Sequence, residues 1–190
     1  ENISENIKVV MACRLLKEKG VYEYIDAAKH VKQHYPDTEF LLVGTPDLEN
    51  PNTVKQYEID EWTSQGIINY LGHRNDIPDV FSSSNIVCLP SFYGEGVPKV
   101  LIEGAACGRA IVTTDNPGCR DAIIDGETGI TVPIRNAEAL ANALVKLIDN
   151  TELRISMGEK ARAFAEAEFD VNSVVGKHLV IYSDLIGEAK

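Results

Sequence analysis

Short apolar runs alternate with amphipathic helical segments along this sequence. The strand-like runs cover residues 7–13, 38–44, 66–72, 85–90, 110–114 and 130–132. The helical segments cover residues 21–35, 53–64, 77–83, 137–148, 151–169 and 171–187, with a further helix after Pro98. Because parallel strands are joined by helical crossovers, this alternation predicts an α/β fold, a doubly wound parallel sheet of about six strands flanked by helices. Ligands in that class bind beyond the carboxyl ends of the strands.

The composition is that of one globular domain over residues 1–190, and it excludes some classes of function. Apolar residues make up 44% of the chain and charged residues 25%. A net charge of −11 argues against nucleic acid as a partner, because the phosphate backbone would repel the chain. The sequence lacks an apolar run of about eighteen residues, so no transmembrane segment is predicted. No secretory signal pattern opens the chain. Its first residue is Glu1 rather than methionine, so we expect a piece of a longer protein.

A glycine-containing turn follows the apolar run that ends at residue 90. Gly94 and Gly96 loosen its backbone, and Pro98 suits the first position of a helix, where a missing N–H costs nothing. The amides of the next residues, beginning with Lys99, would then be unpaired and would point the positive end of the helix dipole above the sheet. The turn therefore favours an anion, most often a phosphate.

Two carboxylates frame the same turn. Glu95 lies in it, and Glu103 follows eight residues later, inside the helix. Carboxylates accept hydrogen bonds from hydroxyls and repel phosphate, so the combination suggests a ligand that carries both groups, such as a sugar nucleotide. The alternative is that both glutamates are ordinary solvated surface residues.

The segment 95–103, together with 104–115, resembles the E-x7-E signature of GT-B glycosyltransferases of the group 1, family 4 type. The order of elements agrees along nearly the whole chain, so the resemblance is to the C-terminal, donor-binding, Rossmann-like half of such an enzyme. The departures are Gly104 where alanine is common, Ala110 where proline is common, and Cys13 where glycine is usual. None of them removes a ligand-binding side chain.

The resemblance assigns two cations to the donor diphosphate. Arg14 and Lys19 match the R-x4-K pattern of the first loop, and two fixed cations above a sheet edge would offset the charge of a diphosphate. The alternative is that these basic residues are simply solvated. Arg74 and His73 lie in the loop where the family's backbone contacts the base, and Tyr93 is a further candidate contact.

The resemblance also assigns roles to the turn and its carboxylates. Glu95, with Arg14 and Lys19, is a predicted catalytic residue, and it would bond hydroxyls of the donor sugar. The donor sugar and distal phosphate would be held by the residues that follow, Gly96, Val97, Pro98 and Lys99. Glu103 would bind the ribose diol, a geometry that selects ribose over a 2′-deoxy sugar.

The implied reaction is hexosyl or N-acetylhexosaminyl transfer from a nucleoside-diphosphate sugar to a hydroxyl acceptor, with retention at the anomeric carbon, and a UDP-sugar is the expected donor. Cations and helix amides would stabilise the departing diphosphate. The resemblance implies no bound metal and no cofactor, and the sequence has no D-x-D cluster. The four scattered cysteines, Cys13, Cys88, Cys107 and Cys119, predict buried reduced thiols rather than metal ligands.

The partners implied by the resemblance are a sugar nucleotide and an acceptor sugar or lipid-linked saccharide. The acceptor would bind on an N-terminal domain, towards which a terminal helix in residues 170–190 would pack, so this chain alone should turn over little. Residues 116–121 resemble a variant found in bacterial enzymes that build capsule, O-antigen or lipid-linked oligosaccharides. That implies a cytoplasmic enzyme, peripheral to the inner face of the membrane in its full-length form.

Two other interpretations stay open at this point. A GT-B epimerase or phosphorylase shares the half-fold, although a phosphorylase would need a lysine-bound pyridoxal site, for which the chain shows no convincing signal. A non-catalytic nucleotide-binding α/β module, in which the carboxylates are structural, belongs to a different functional class.

Overall fold

A parallel sheet of six strands lies at the centre of the computed structural model, which describes residues 6–94 and 96–188. The strands are β1 (Lys8–Ala12), β2 (Glu39–Val43), β3 (Asn69–Gly72), β4 (Ile86–Leu89), β5 (Ala110–Thr114) and β6 (Gly129–Val132). Their order across the sheet is β3-β2-β1-β4-β5-β6, and every neighbouring pair is parallel. The predicted doubly wound α/β class is therefore confirmed.

Helices cover both faces of this sheet. They are α1 (Val21–Lys32), α2 (Gln56–Ser64), α3 (Ile77–Ser82), α4 (Lys99–Ala106), α5 (Ala137–Asp149), α6 (Thr151–Glu168) and α7 (Val171–Glu188). Helix α1 packs against α5, whereas α4 packs against α3 and α6. Right-handed crossovers that run in opposite directions from the centre of the sheet place α1 and α4 on opposite faces.

The core is built from the central strands and the apolar stripe of α1. Val21, Ile25 and Val31 of that stripe are buried, as their spacing predicted. Tyr24 is also fully buried, and its hydroxyl donates to the carbonyl oxygens of Val9 (2.9 Å) and Leu41 (3.0 Å). A buried tyrosine is tolerated here because its one polar atom is paired.

Pro98 is not the first residue of α4, as the sequence had suggested. It is the residue before the helix, with an extended ψ of 121°, and α4 begins at Lys99. The carbonyl oxygen of Pro98 accepts hydrogen bonds from the amides of Leu101 and Ile102. The amides of Lys99 and Val100 therefore lie in the first turn, where a helix has no carbonyl of its own to receive them.

Two loops at the carboxyl edge of the sheet are joined directly. The Phe92 amide donates to the Glu18 carbonyl oxygen (3.0 Å), and the Ser91 hydroxyl donates to the same oxygen (3.2 Å). Gly20 has a φ of 81°, and a Cβ atom there would lie 2.1 Å from the Pro90 carbonyl oxygen. Only glycine fits so close an approach, which fixes the β1–α1 loop against the β4–α4 loop.

Close packing also fixes α4 on the sheet. A Cβ atom on Gly104 would meet the Val87 side chain at 2.9 to 3.0 Å, which accounts for glycine where the resembled family commonly has alanine. At the other end of α4, the Arg162 guanidinium donates to the Ala106 carbonyl oxygen (2.9 Å).

Helix α7 carries an apolar stripe that includes Val171, Tyr182, Leu185 and Ile186, and each of these four residues is more than half exposed. No helix in residues 6–94 or 96–188 is both long enough and apolar enough to cross a membrane.

Candidate functional site

A pocket of about 350 Å³ opens at the carboxyl edge of the sheet. It lies at the point where the strand order reverses, because β1 has β2 on one side and β4 on the other. Among the described residues, its wall carries six polar side chains, those of Arg14, Thr45, His73, Arg74, Lys99 and Glu103. We call it the switch-point pocket, because this is where ligands bind in doubly wound sheets.

Three of the loops that form this pocket enter it at equivalent positions. Arg14, Thr45 and Arg74 each lie two residues beyond the end of β1, β2 and β3, respectively. The carboxyl ends of parallel strands meet at one edge, so residues far apart in sequence line the same wall. The start of α4 supplies the remaining wall.

Lys99 and Glu103 form an ion pair within the pocket, with 3.2 Å between Nζ and Oε1. The Lys99 side chain is 87% exposed and that of Glu103 is 34% exposed. A pair with so exposed a partner contributes little to the free energy of unfolding. The carboxylate of Glu103 is thus held in the pocket by a cation that a ligand can displace or use.

Arg74 is oriented by a neighbouring carboxylate. Its Nε donates to Oδ1 of Asp76 (2.8 Å), and its Nη2 pairs with the other oxygen of the same carboxylate. Hydrogen bonding from the Arg74 guanidinium lowers the pKa of Asp76. The side chain of His73 pairs with Asn75 (3.1 Å), so the whole loop is held by short-range contacts.

The two cations predicted for a diphosphate lie in different surroundings. Arg14 is exposed and lines the switch-point pocket. Lys19 is only 9% exposed, and its Nζ lies 5.5 Å from the centre of the Tyr93 ring. Lys19 is therefore not part of the pocket wall, but it sits beneath the β4–α4 loop that borders it.

The structure describes the turn before α4 except for one residue. Glu95 lies outside the described residues, so its predicted contacts have no structural account. Gly96 and Val97 are exposed, Pro98 is buried, and none of the three lines the switch-point pocket. The residues of this segment that do line it are the first two of α4, Lys99 and Val100.

Sequence reasoning missed some of the pocket wall. Gly44 and Thr45 contribute from the end of β2, and Ile77 contributes from α3. Cys13 also lines the pocket and is partly exposed, so the prediction that all four cysteines are buried is wrong for it and for Cys107. Position in the sequence could have indicated them, since residues that directly follow β1, β2 and β3 line the pocket.

A larger hollow, of about 710 Å³, lies at the amino ends of the strands. The buried arginine in its wall, Arg154, already donates to the Leu147 carbonyl oxygen (2.6 Å) and the Thr151 hydroxyl (3.2 Å). Size alone therefore does not select the site. The switch-point pocket is the better candidate because its cations and its carboxylate face the cavity.

The arrangement suits a ligand with a negative and a hydroxyl-bearing part. Arg14, Lys99 and the first amides of α4, which no carbonyl of that helix receives, are donors and positive charges for a phosphate. The Glu103 carboxylate is an acceptor for hydroxyl groups. Cations placed where negative charge develops on a departing phosphate would also favour its departure.

Comparison with known proteins is consistent with these features. The family model described as glycosyl transferases group 1 matches residues 1–164. N,N'-diacetylbacillosaminyl-diphospho-undecaprenol alpha-1,3-N-acetylgalactosaminyltransferase of Campylobacter jejuni is 34% identical over 97% of this chain and 46% of its own length. UDP-Gal:alpha-D-GlcNAc-diphosphoundecaprenol alpha-1,3-galactosyltransferase of Escherichia coli is 27% identical over 93% of this chain and 45% of its own. The chain thus spans about half the length of the curated relatives it matches.

Solved structures share the fold. HepE of Anabaena, crystallised in complex with UDP, superimposes with a TM-score of 0.85 at 25% sequence identity. The match covers 94% of this chain and 49% of that one. The same protein has also been crystallised with UDP-glucose.

Proposed function

The chain belongs to the group 1 glycosyl transferases, and we propose that it binds a nucleoside-diphosphate sugar in the switch-point pocket. In the whole protein it would act with an N-terminal domain to transfer the glycosyl group to a hydroxyl of a saccharide acceptor. The observation that carries this proposal is the meeting of Arg14, Lys99 and Glu103 in one pocket beyond the strand ends.

The proposed binding mode divides the nucleotide among these residues. Glu103 accepts from the ribose diol, and Arg14 and Lys19 offset the charge of the diphosphate. The loop that carries Arg74 faces the base. The UDP and UDP-glucose complexes of HepE, which has the same fold, support a uridine nucleotide as the ligand.

The proposed reaction is glycosyl transfer with retention, without a metal or cofactor. Positive charge from Arg14, Lys19 and the start of α4 stabilises the diphosphate as the glycosidic bond to it breaks. Glu95 bonds hydroxyls of the donor sugar and orients its anomeric carbon. The first of these roles depends on charge and the second on position, so they are separable by mutation.

The proposed acceptor is a saccharide linked through phosphate to a lipid, in the synthesis of a bacterial surface polysaccharide or oligosaccharide. The Campylobacter and Escherichia coli relatives are named for diphospho-undecaprenol acceptors, and CapM of Staphylococcus aureus is named for capsular polysaccharide biosynthesis. Such an acceptor would bring the enzyme to the inner face of a membrane.

We place the N-terminal domain on the exposed stripe of α7. Ile186, the most exposed large apolar residue of that helix, is 72% exposed, and Leu185 beside it is 61% exposed. Large exposed apolar patches of this kind usually mark surfaces that contact another protein or domain. A domain in this position would leave the donor pocket complete within this chain.

Titration of the labelled chain with UDP tests the proposal. Amide shifts are expected at Cys13, Arg14, Thr45 and Lys99, and Glu103→Ala should weaken binding about tenfold because one charged hydrogen-bond acceptor is lost. 2′-Deoxy-UDP should bind the parent chain more weakly than UDP does, and the two ligands should bind Glu103→Ala equally.

Glu159→Ala is the matched control, since it removes an exposed helical glutamate at the opposite edge of the sheet. Its affinity for UDP should equal that of the parent chain. A folded sample that shows no shift at millimolar UDP would refute the proposed function and favour the non-catalytic module. An equal loss of affinity in both glutamate variants would refute the role of Glu103.

A further inference from the structure

A second hollow, of about 470 Å³, lies beside the switch-point pocket at the same edge of the sheet. The β1–α1, β2–α2, β4–α4 and β6–α5 loops form it, and its polar side chains are those of Lys17, Glu18, Asn52 and Arg135. Phe92 and Tyr93 supply its aromatic surface, so we call it the aromatic hollow. The proposed donor site uses none of these polar side chains.

The aromatic surface is held in a fixed position. The amide of Tyr93 donates to the Ser91 hydroxyl (3.3 Å), and the Asn116 side chain donates to the Tyr93 carbonyl oxygen (2.7 Å). Tyr93 as a whole is nevertheless 50% exposed. A half-exposed ring on an anchored backbone is a ready surface for the apolar face of a sugar, since aromatic side chains give large contact area at low entropic cost.

Arg135 is also held in a fixed position. Its guanidinium carbon lies 4.4 Å from the centre of the Phe92 ring, within the range of a cation–π contact. Its φ of 53° is the only positive value among the non-glycine residues that the structure describes. Backbone strain of this kind persists where a side chain is needed in one place, and it concentrates at binding sites.

Among the described residues, three positive and two negative side chains lie in or around the aromatic hollow, although the chain carries a net charge of −11. Lys17 and Arg135 line it with Glu18 as the lining carboxylate, and Lys19 lies just beneath Tyr93. Glu23 faces Arg135 from α1: burial raises the pKa of Glu23, and the charge of Arg135 partly opposes this. A ligand with an anionic group is therefore favoured over a neutral one.

Tyr93 lines the aromatic hollow and also contacts a cation of the proposed donor site. Lys19, which is proposed to offset the donor diphosphate, has its Nζ 5.5 Å from the centre of the Tyr93 ring. A sugar ring against the outer side of Tyr93 would thus lie next to the group that leaves the donor. Transfer requires the acceptor hydroxyl to lie close to the anomeric carbon, and this neighbourhood supplies that proximity.

We infer that the aromatic hollow is a subsite for the acceptor, in which a pyranose ring packs on Tyr93 and its phosphate group pairs with Lys17 and Arg135. The inference rests on the proposed function and deepens it, because it gives this chain a direct part in acceptor recognition. Asn52 supplies an amide that can bond a sugar hydroxyl. Phe92 holds Arg135 rather than the ligand.

N-Acetylglucosamine 1-phosphate is the probe, added to the labelled chain that has first been saturated with UDP. Amide shifts are expected at Gly94, Asn52 and Arg135, and they should appear at millimolar concentrations, as is usual for one sugar subsite. Inorganic phosphate and N-acetylglucosamine alone should each bind more weakly than the sugar phosphate. Phosphate binding as tight as the probe would overturn the sugar contact, and equal binding of the neutral sugar would overturn the ionic one.

Two variants locate the subsite. Arg135→Gly removes the cation and relieves the left-handed backbone, so it should fold at least as well and bind the probe about tenfold more weakly. Tyr93→Ala should lower the affinity by a similar factor. Lys146→Ala, which removes one exposed positive charge from α5, should bind the probe as the parent chain does.

The UDP titration separates this inference from the proposed function. If UDP binds and the probe shifts no residue of the aromatic hollow, the acceptor subsite is refuted while the donor site stands. If UDP itself fails to bind a folded sample, the proposed function is refuted first. Probe affinities that are unchanged in both Arg135→Gly and Tyr93→Ala would also refute the subsite.

Discussion

The two edges of the sheet both carry arginines, but they use them differently. At the amino edge, Arg154 donates to the carbonyl oxygen of Leu147 at the end of α5, and Arg162 donates to that of Ala106 at the end of α4. At the carboxyl edge, the Arg14 side chain makes no hydrogen bond or ion pair with any residue in 6–94 or 96–188, and it faces a cavity. A basic residue is therefore a binding candidate when its donors are not already used by the fold.

The helix ends at the two edges of the sheet differ in the same way. Cations at the amino edge lie against carbonyl groups, where the negative ends of helix dipoles attract them. The start of α4 faces the carboxyl edge, where its first amides have no carbonyl of their own helix to bond and, with the nearby cations, add positive charge. One edge consequently stabilises the fold, and the other is left with donors for a ligand.

Arg154→Ala should have the largest effect, and on stability alone. The side chain is 8% exposed, so its loss leaves the end of α5 with unpaired buried carbonyls and should lower the free energy of unfolding by about 3 kcal/mol. Urea unfolding of the chain measures this. Affinity for UDP should stay within about twofold of the parent value, since the site is distant. Lost UDP binding with unchanged stability would break the contrast between the edges.

Arg14→Ala should show the opposite pattern. Loss of a charge-assisted contact to the diphosphate should weaken UDP binding by about 2 kcal/mol, which calorimetric titration measures. The free energy of unfolding should move by less than about 0.5 kcal/mol, because the side chain is exposed and pairs with none of the residues that the structure describes. Arg14→Lys is the control that keeps the charge and loses the fork, and it should lie between the two. A large loss of stability in Arg14→Ala would mean that this arginine, too, serves the fold.

Glu95→Ala should give the smallest effect, confined to turnover by the whole enzyme. We expect kcat/KM to fall by a factor of at least about ten, because a hydrogen bond to the donor sugar counts in the transition state. Steady-state assays with labelled sugar nucleotides measure it. UDP lacks the donor sugar that Glu95 is proposed to contact, so the affinity of the variant for UDP should be unchanged. A wild-type rate would remove Glu95 from its proposed catalytic role.

Most of the fold was predictable because the local pattern of apolar residues indicates most of the helices and strands. The apolar run of β5 was predicted at Ala110–Thr114, and the structure has the same bounds. The start of β3 was misplaced, at residue 66 instead of Asn69. There the amides of Gly66 and Ile67 donate to the carbonyl oxygens of Thr63 and Trp62 and complete the end of α2. Such an end depends on hydrogen bonds across a turn, which apolar patterning does not register.

The site was predictable only in part, because it depends on which loops become neighbours. Arg14 and Glu103 were found through a motif, and both line the switch-point pocket. Cys13 and Gly44 carry no motif of their own, and they join the wall because β1 and β2 are adjacent. Arg135 follows the outermost strand, and no periodicity in sequence indicates that it reaches Phe92.

The contact of Gly20 with Pro90 has a consequence for how this protein can diverge. Since a methyl group at residue 20 would strike the facing carbonyl, neither loop can change its path without the other. Insertions near residue 18 and near residue 92 should therefore arise as matched events, inherited together in natural variants. The binding partners of this protein would then change through the side chains on the two loops, while the loops themselves keep their shape.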